Sequence, residues 1–241
     1  SVLSFTSIRS TLVTNKIEIG SGARYEGAML RMPGWQHMEM TAYESMIDRF
    51  GPDRVAPRAW YGVNNLSQSF TLERSDAEAP DVECIAVVGL TANEAKLVKP
   101  QEGLIAGRWL AQGEEDVCLL PQDLADGLRI GPDELETATI QIFGESFRVI
   151  GILKPDALEV DDLNNESMLP LDAEAREFAK AKVGTSMGSQ LPSFPHHPAD
   201  RSIVLPFNRV MQWEKGTLAS VGILAGENFD AVGIVFVGFL W

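Results

Sequence analysis

The sequence predicts an α+β fold in two lobes. Short apolar runs with many β-branched residues recur along the chain, and an amphipathic helix lies among the first of them. A polar segment with Pro and Gly at residues 99–103 separates two differently patterned halves. A helix that packs on one face of a small sheet is the usual α+β arrangement. We therefore expect residues 1–100 to form the first lobe and residues 101–230 the second.

The first lobe is predicted to contain a clear helix at residues 41–50. Apolar residues recur there at helical spacing, and Thr41 and Glu44 have the spacing of a capping box. Gly51 followed by Pro52 ends the helix, because proline cannot continue the hydrogen-bond pattern. Strands are predicted in this lobe at residues 1–19, 28–32, 55–61, 69–74 and 82–90.

The second lobe is organised around residues 107–153, which predict a strand, a short helix and a β-hairpin in that order. The strand is expected at residues 117–120, the helix at 123–128 and the hairpin strands at 138–143 and 146–153. Gly144 and Glu145 are predicted to form the hairpin turn. Beyond a long acidic segment, residues 202–207 and 218–224 predict further strands, with a short helix at 209–213 between them.

This order of elements carries a set of short motifs. They are Gly107-Arg108-Trp109, the acidic residues 114–116, the apolar run 117–120, Leu124-Ala125 with Leu128 and Gly131, the run FRVIGIL at 147–153 and the run SIVLPF at 202–207. Together they resemble the periplasmic core domain of ABC-transporter permeases of the MacB/FtsX superfamily. The resemblance implies a MacB-like fold, with a porter-like α+β lobe followed by a β-rich, sabre-like lobe. The acidic and Pro/His-rich insertion at residues 156–200 departs from that pattern.

The resemblance also implies a function. The domain would lie on the extracytoplasmic, periplasmic face of the cell membrane and would be neither an enzyme nor a cofactor-binding protein. It would couple ATP hydrolysis by a separate ABC ATPase subunit to export, or to action on a periplasmic protein or lipoprotein, by mechanotransmission from its own transmembrane helices. Two such permeases would pair as a dimer. Residues 231–241 are apolar and are expected to form either a buried C-terminal strand or a membrane-helix stub.

Composition restricts the partners. The formal net charge of the 241 residues is −14, which disfavours nucleic acid and anionic lipid because both need clustered Lys and Arg. Cys84 and Cys118 both lie in apolar runs and are expected to be buried thiols, although an extracytoplasmic location would permit a disulfide.

The candidate chemistry is sparse. No phosphate-binding loop is present in the sequence. Residues 184–188 match the G-x-S-x-G pattern of a nucleophile elbow, but the strand and helix that must flank this motif are not predicted there. His196 and His197 offer adjacent imidazoles, which seldom point at one ion, so no metal site is predicted. The alternative function is a secreted hydrolase or ligand-binding protein that uses this acidic and histidine loop.

Four residues are candidates for partner contacts. Trp35, Trp60 and Tyr61 are aromatic residues close to turn signals, where they either anchor a partner or cap the core of their own lobe. Arg58 stands among Ala, Pro and aromatic residues, so its guanidinium needs a carboxylate, an aromatic face or a partner.

Overall fold

The computed structural model describes residues 12–13, 18–20, 27–31, 38–62, 69–158 and 199–224. Strands β1 to β13 are Leu12–Val13, Glu18–Gly20, Gly27–Arg31, Val55–Gly62, Phe70–Arg74, Val82–Cys84, Ala86–Leu90, Leu104–Gly107, Val117–Pro121, Thr139–Ile142, Glu145–Leu153, Ser202–Pro206 and Thr217–Leu224. Helices α1 to α4 are Met40–Phe50, Glu94–Leu97, Gln122–Gly127 and Phe207–Gln212. The predicted α+β class is confirmed.

All thirteen strands belong to one hydrogen-bonded sheet. Its order is β1-β2-β3-β13-β4-β7-β12-β9-β11-β10-β5-β6, and β8 pairs with β11. The pairs β7/β12 and β9/β11 are parallel, whereas β13 runs antiparallel to both β3 and β4. Strands from both sides of residues 99–103 therefore alternate within the sheet. A division of the chain into two lobes at this boundary stays a prediction.

The local elements follow the sequence pattern closely. The hairpin strands β10 and β11, the strands β9, β12 and β13, and the helix α1 all lie within one residue of the predicted bounds, whereas the hairpin turn lies at Phe143 and Gly144 instead of at Gly144 and Glu145. The helix α1 ends at Gly51, whose φ is 82° and whose N–H donates to the Ile47 carbonyl. The predicted capping box is wrong, because the helix begins at Met40 with Glu39 as N-cap and no side chain caps it. Thr41 already lies inside the first turn.

Three further details differ from the prediction. Residues 82–90 form two strands, since the Ile85 N–H between them donates to the Arg201 carbonyl instead of a strand partner. The strand β8 and the helix α2 were not predicted. Residues 99–103, predicted as a polar linker, contain a 3-10 turn at Pro100–Gly103 in which Pro100 is buried.

The core lies on both faces of the sheet. Side chains alternate along β9, so that Cys118 and Leu120 join one buried cluster while Val117 and Leu119 join another. The first cluster also takes in buried residues of α1, α3 and α4. The second is completed by apolar residues of the segments 104–110 and 157–158. The central strands are thus packed from both sides.

Several predicted features lie outside the described residues. These are Trp35, His196, His197, residues 184–188, residues 231–241 and most of the insertion at 156–200. Of the helices that the structure does describe, none has the length and apolar character needed to cross a membrane.

Candidate functional site

The strand β4 carries three of the four predicted contact residues. Arg58 and Trp60 are two positions apart and therefore share one face of the strand, whereas Tyr61 lies on the other. The packing agrees, because Trp60 contacts the cluster around Leu119 and Tyr61 contacts the cluster around Leu120. The three side chains do not converge on one site.

Arg58 is buried and paired. Its Nε and Nη2 donate to Oε1 and Oε2 of Glu94 at 2.8 and 2.9 Å, a bidentate ion pair whose side chains are 2% and 1% exposed. The residue before Glu94 strengthens the same junction, since Asn93 Nδ2 donates to the carbonyls of Pro52 and Val55 at 2.8 Å each. Of the three kinds of partner predicted for Arg58, the structure provides a carboxylate. A contact of Arg58 with another protein stays a prediction.

Trp60 is partly buried against the second cluster, and its carbonyl accepts a hydrogen bond from Thr217 Oγ1 at 3.1 Å. It sits between β7 and β13, opposite Val88 and Thr217. Its ring therefore contributes to the core of the sheet as well as to the surface. A contact of Trp60 with another protein stays a prediction.

Tyr61 belongs to a group of four rings from four separate segments, here called the aromatic cluster: Tyr61, Phe70, Phe143 and Trp213. Ring centroids lie 5.1 Å apart for Tyr61 and Phe143, 5.4 Å for Tyr61 and Trp213, and 4.9 Å for Phe70 and Phe143. These spacings are those of favourable edge-to-face and tilted aromatic contacts. Phe143 is 50% exposed, so the cluster reaches the surface.

Charged groups border the aromatic cluster on the side of Trp213. Trp213 Nε1 donates to Glu145 Oε2 at 3.1 Å, and Glu145 Oε2 also lies 3.0 Å from Arg209 Nε. Arg209 Nη2 is 3.5 Å from Asp116 Oδ1. Phe70, Phe143, Trp213 and these ionic neighbours carry no signal in the sequence, because they approach Tyr61 only through strand pairing.

Two arginines bind pairs of carboxylates: Arg74, whose side chain is 5% exposed, and Arg108, whose side chain is 40% exposed. Arg74 contacts Asp76 at 3.0 Å and Glu134 at 2.6 Å, and hydrogen bonds from Arg74 lower the pKa of both acids. The same acids raise the pKa of Arg74 above its ordinary value. This network joins β5 to the turn that precedes β10.

The second network explains the Gly-Arg motif. Arg108 contacts Glu114 at 2.7 Å and Glu136 at 2.6 Å, and its hydrogen bonds lower the pKa of Glu114. Gly107, with φ of 80°, packs so closely that a Cβ there would collide with the Ile150 carbonyl oxygen. Both motif residues therefore hold β8 and the following loop against β11.

The described residues contain neither a reactive thiol nor a group of side chains suited to hold a metal ion. Cys84 and Cys118 are free and buried, as predicted. Burial raises the pKa of the Cys84 thiol to about 12 and also raises that of Cys118. A protonated thiol is a poor nucleophile. No three His, Cys, Asp or Glu side chains in this part of the chain are grouped so that they would hold a metal ion.

Comparisons with known proteins identify the fold. No family model and no curated protein matches this chain. Among solved structures, the periplasmic region of MacB from Actinobacillus actinomycetemcomitans aligns with a TM-score of 0.51 and 13% identity, over 94% of this chain and 82% of that one. The extracellular domain of the noncanonic ABC-type transporter YknZ from Gram-positive bacteria aligns with a TM-score of 0.46 and 14% identity, over 84% and 79%. The expected MacB-like fold is confirmed.

Proposed function

We propose that this chain is a non-catalytic, extracytoplasmic domain of an ABC-transporter permease of the MacB/FtsX kind. The observation that carries the proposal is the alignment of 94% of the chain with the periplasmic region of MacB. The motifs from Gly107-Arg108-Trp109 to the FRVIGIL run support it independently, because they led to the same fold from sequence alone. The domain would couple ATP hydrolysis by a separate ATPase subunit to export, or to action on a periplasmic protein or lipoprotein.

The packing of the sheet suits a mechanical role. β9 and β12 are buried along their whole length, and β13 is buried along nearly all of it. Because a close-packed interior has few voids to absorb a displacement, it transmits strain from one end to the other. The paired Arg58 and Glu94 fix α2 to the same sheet. A displacement applied by transmembrane helices would therefore move the described body as a unit.

The proposed partners follow from the same function. They are the transmembrane helices of the same permease, the ATPase subunit, a second permease in a dimer, and a periplasmic protein or lipoprotein. Nucleic acid is disfavoured by the formal net charge of −14.

The coding sequence on either side of these 241 residues provides a first test. We expect an apolar span of about 20 residues on each side, the length that crosses a bilayer as a helix. Flanks without such spans would contradict the membrane assignment.

A second test measures movement in the full-length permease reconstituted with its ATPase subunit. Ile105 is 44% exposed, so Ile105→Cys provides a labelling site, whereas Cys84 and Cys118 are buried and should stay unlabelled. Any cysteine outside the 241 residues would be replaced first. We expect the spin-label distance between the two copies to differ between nucleotide-free and ATP-trapped states. Identical distance distributions in both states would contradict mechanical coupling.

A further inference from the structure

We propose that the aromatic cluster is a docking surface for a basic segment of another protein, which places an apolar side chain against Phe143 and lysines or arginines against the neighbouring carboxylates. This proposal rests on the proposed function in one respect, namely that the domain would meet such a partner outside the membrane. It specifies a surface and a chemical class of partner. The surface itself can be tested without the transporter.

Phe143 has an unusual backbone conformation for an aromatic residue. Ile142 pairs with Glu145 across the hairpin, so the loop between β10 and β11 contains only Phe143 and Gly144. Their φ angles are 52° and 81°, the left-handed region that a type I′ turn needs at both positions. Asn-Gly is the favoured pair there, and a bulky residue at positive φ is unusual. The predicted turn at Gly144 and Glu145 is therefore one residue too late, and the true turn carries an aromatic ring where asparagine would fit better.

Phe143 is also exposed to solvent, although it packs on other rings. The Phe143 ring lies 4.9 to 5.2 Å from the rings of Phe70, Tyr61 and Trp213, yet half of the residue remains exposed. Packing inside the chain therefore uses only part of its apolar surface. Exposed aromatic rings that rest on other aromatic rings are rigid and bury a large area on binding at low entropic cost. Phe143 keeps a positive φ of 52° although it is exposed. Strained backbone conformations of this kind are concentrated at functional sites.

The charges around the aromatic cluster select the kind of partner. Glu145 is 35% exposed and Asp116 is 71% exposed, and Glu214 follows Trp213 on the surface. Arg209 lies between Glu145 and Asp116, and the exposed Lys215 follows Glu214, so the three carboxylates exceed the two cations by one charge. Aromatic faces attract Lys and Arg as well. A second copy of this chain would bring another net charge of −14, and anionic lipid would also be repelled. A basic protein segment is the complementary partner.

The test is a titration of the 241-residue chain with a synthetic amphipathic helix of leucine and lysine. The matched peptide has glutamate in place of every lysine. Affinity is measured by calorimetry, and the site is located by the shift of the Trp213 indole N–H resonance. The variant Phe143→Asn removes the ring and supplies the residue that the turn favours, so we expect it to fold. The control Ile105→Asn makes the same kind of change at another exposed apolar residue, which is 44% exposed.

We expect the lysine peptide to bind the unmodified chain and Ile105→Asn equally, to shift the Trp213 resonance, and to bind Phe143→Asn about tenfold more weakly. The glutamate peptide should not bind. Asp116→Asn offers a second variant on an exposed side chain, with a smaller loss of affinity and a weaker dependence on salt. Equal affinity for the unmodified chain, Phe143→Asn and Asp116→Asn would overturn the proposal, as would equal binding of the glutamate peptide.

This outcome is separable from the proposed function. The titration uses no membrane, ATPase or nucleotide. A failed titration therefore removes the docking surface and leaves mechanical coupling standing. An unchanged spin-label distance in the permease would remove the coupling and leave the docking surface standing.

Discussion

Breaking the ion pair between Arg58 and Glu94 should be among the most costly single changes in the described part of the chain. The two side chains are 2% and 1% exposed and share two hydrogen bonds of 2.8 and 2.9 Å. Glu94→Gln keeps the shape but removes the negative charge that the bidentate pair sets against the buried Arg58 guanidinium. Removal of one partner of a buried pair costs about 3–5 kcal/mol. We expect the free energy of unfolding to fall by that amount.

The size of this effect depends on burial rather than on attraction between the charges. The double variant Arg58→Met, Glu94→Leu removes both charges and fills the space with apolar groups, so we expect it to be within about 1 kcal/mol of the unmodified chain or more stable. An exposed pair gives the matched control. Arg148 and Glu136 are 47% and 43% exposed and 3.5 Å apart, so Arg148→Met should cost less than about 1 kcal/mol.

Urea unfolding followed by circular dichroism measures the free energy of unfolding of four proteins. They are the unmodified chain, Glu94→Gln, the double variant and Arg148→Met. A loss below about 1 kcal/mol for Glu94→Gln would show that the pair is hydrated and contributes little. A double variant that loses as much as the single one would show that the cost comes from packing and not from the lost charge of Glu94. Either result would refute the argument, and the second would also weaken the view that α2 is fixed to the sheet by this pair.

Three further changes follow from the packing and the ionic networks. Ile150→Ala, at a fully buried site, should lower the free energy of unfolding by about 2–5 kcal/mol, whereas Ile105→Ala, at a site 44% exposed, should change it little; equal losses in urea would contradict the assigned burial. Gly107→Ala should lower the thermal midpoint, because φ is 80° and the new Cβ meets the Ile150 carbonyl oxygen; an unchanged midpoint in calorimetry would count against this conformation. Arginines hold the pKa of Asp76 and Glu114 below the ordinary range, so their contribution to stability is present at neutral pH and is lost as pH falls below about 4.5. Urea midpoints between about pH 7 and pH 3 should therefore fall, and a flat profile would refute this assignment.

Elements that depend on short-range chemistry could be predicted from the sequence. Gly51 ends the helix α1 because only a residue that tolerates positive φ fits there, and a glycine followed by proline signals this directly. The hairpin strands were found for a similar reason, since the turn residue Gly144 interrupts two β-rich runs. The turn was placed one residue late because Phe143, with φ of 52°, is not a residue that propensity would assign to a left-handed position.

Charge partners could be anticipated in kind but not in identity. The need of Arg58 for a carboxylate, an aromatic face or a partner follows from its apolar surroundings, because a guanidinium cannot lose its proton to become neutral. Glu94 lies 36 residues further along the chain, in a helix too short to give a periodic signal. Nothing in the sequence between Arg58 and Glu94 indicates that β4 and α2 are in contact.

Strand order is the part of the fold that alternation cannot supply. The pattern of β13 indicates a buried strand, but a strand with two paired edges fits equally well between many neighbours. In the structure β13 lies between β3 and β4, and both of these strands are more than half the chain away from it in sequence. The aromatic cluster depends on the same long-range order, since Tyr61, Phe70, Phe143 and Trp213 come together only when β5 pairs with β10 and α4 lies beside β4. Tyr61 could therefore be selected as a contact residue by its type and its place near a turn, while the surface that gives it three aromatic neighbours could be recognised only in the folded chain.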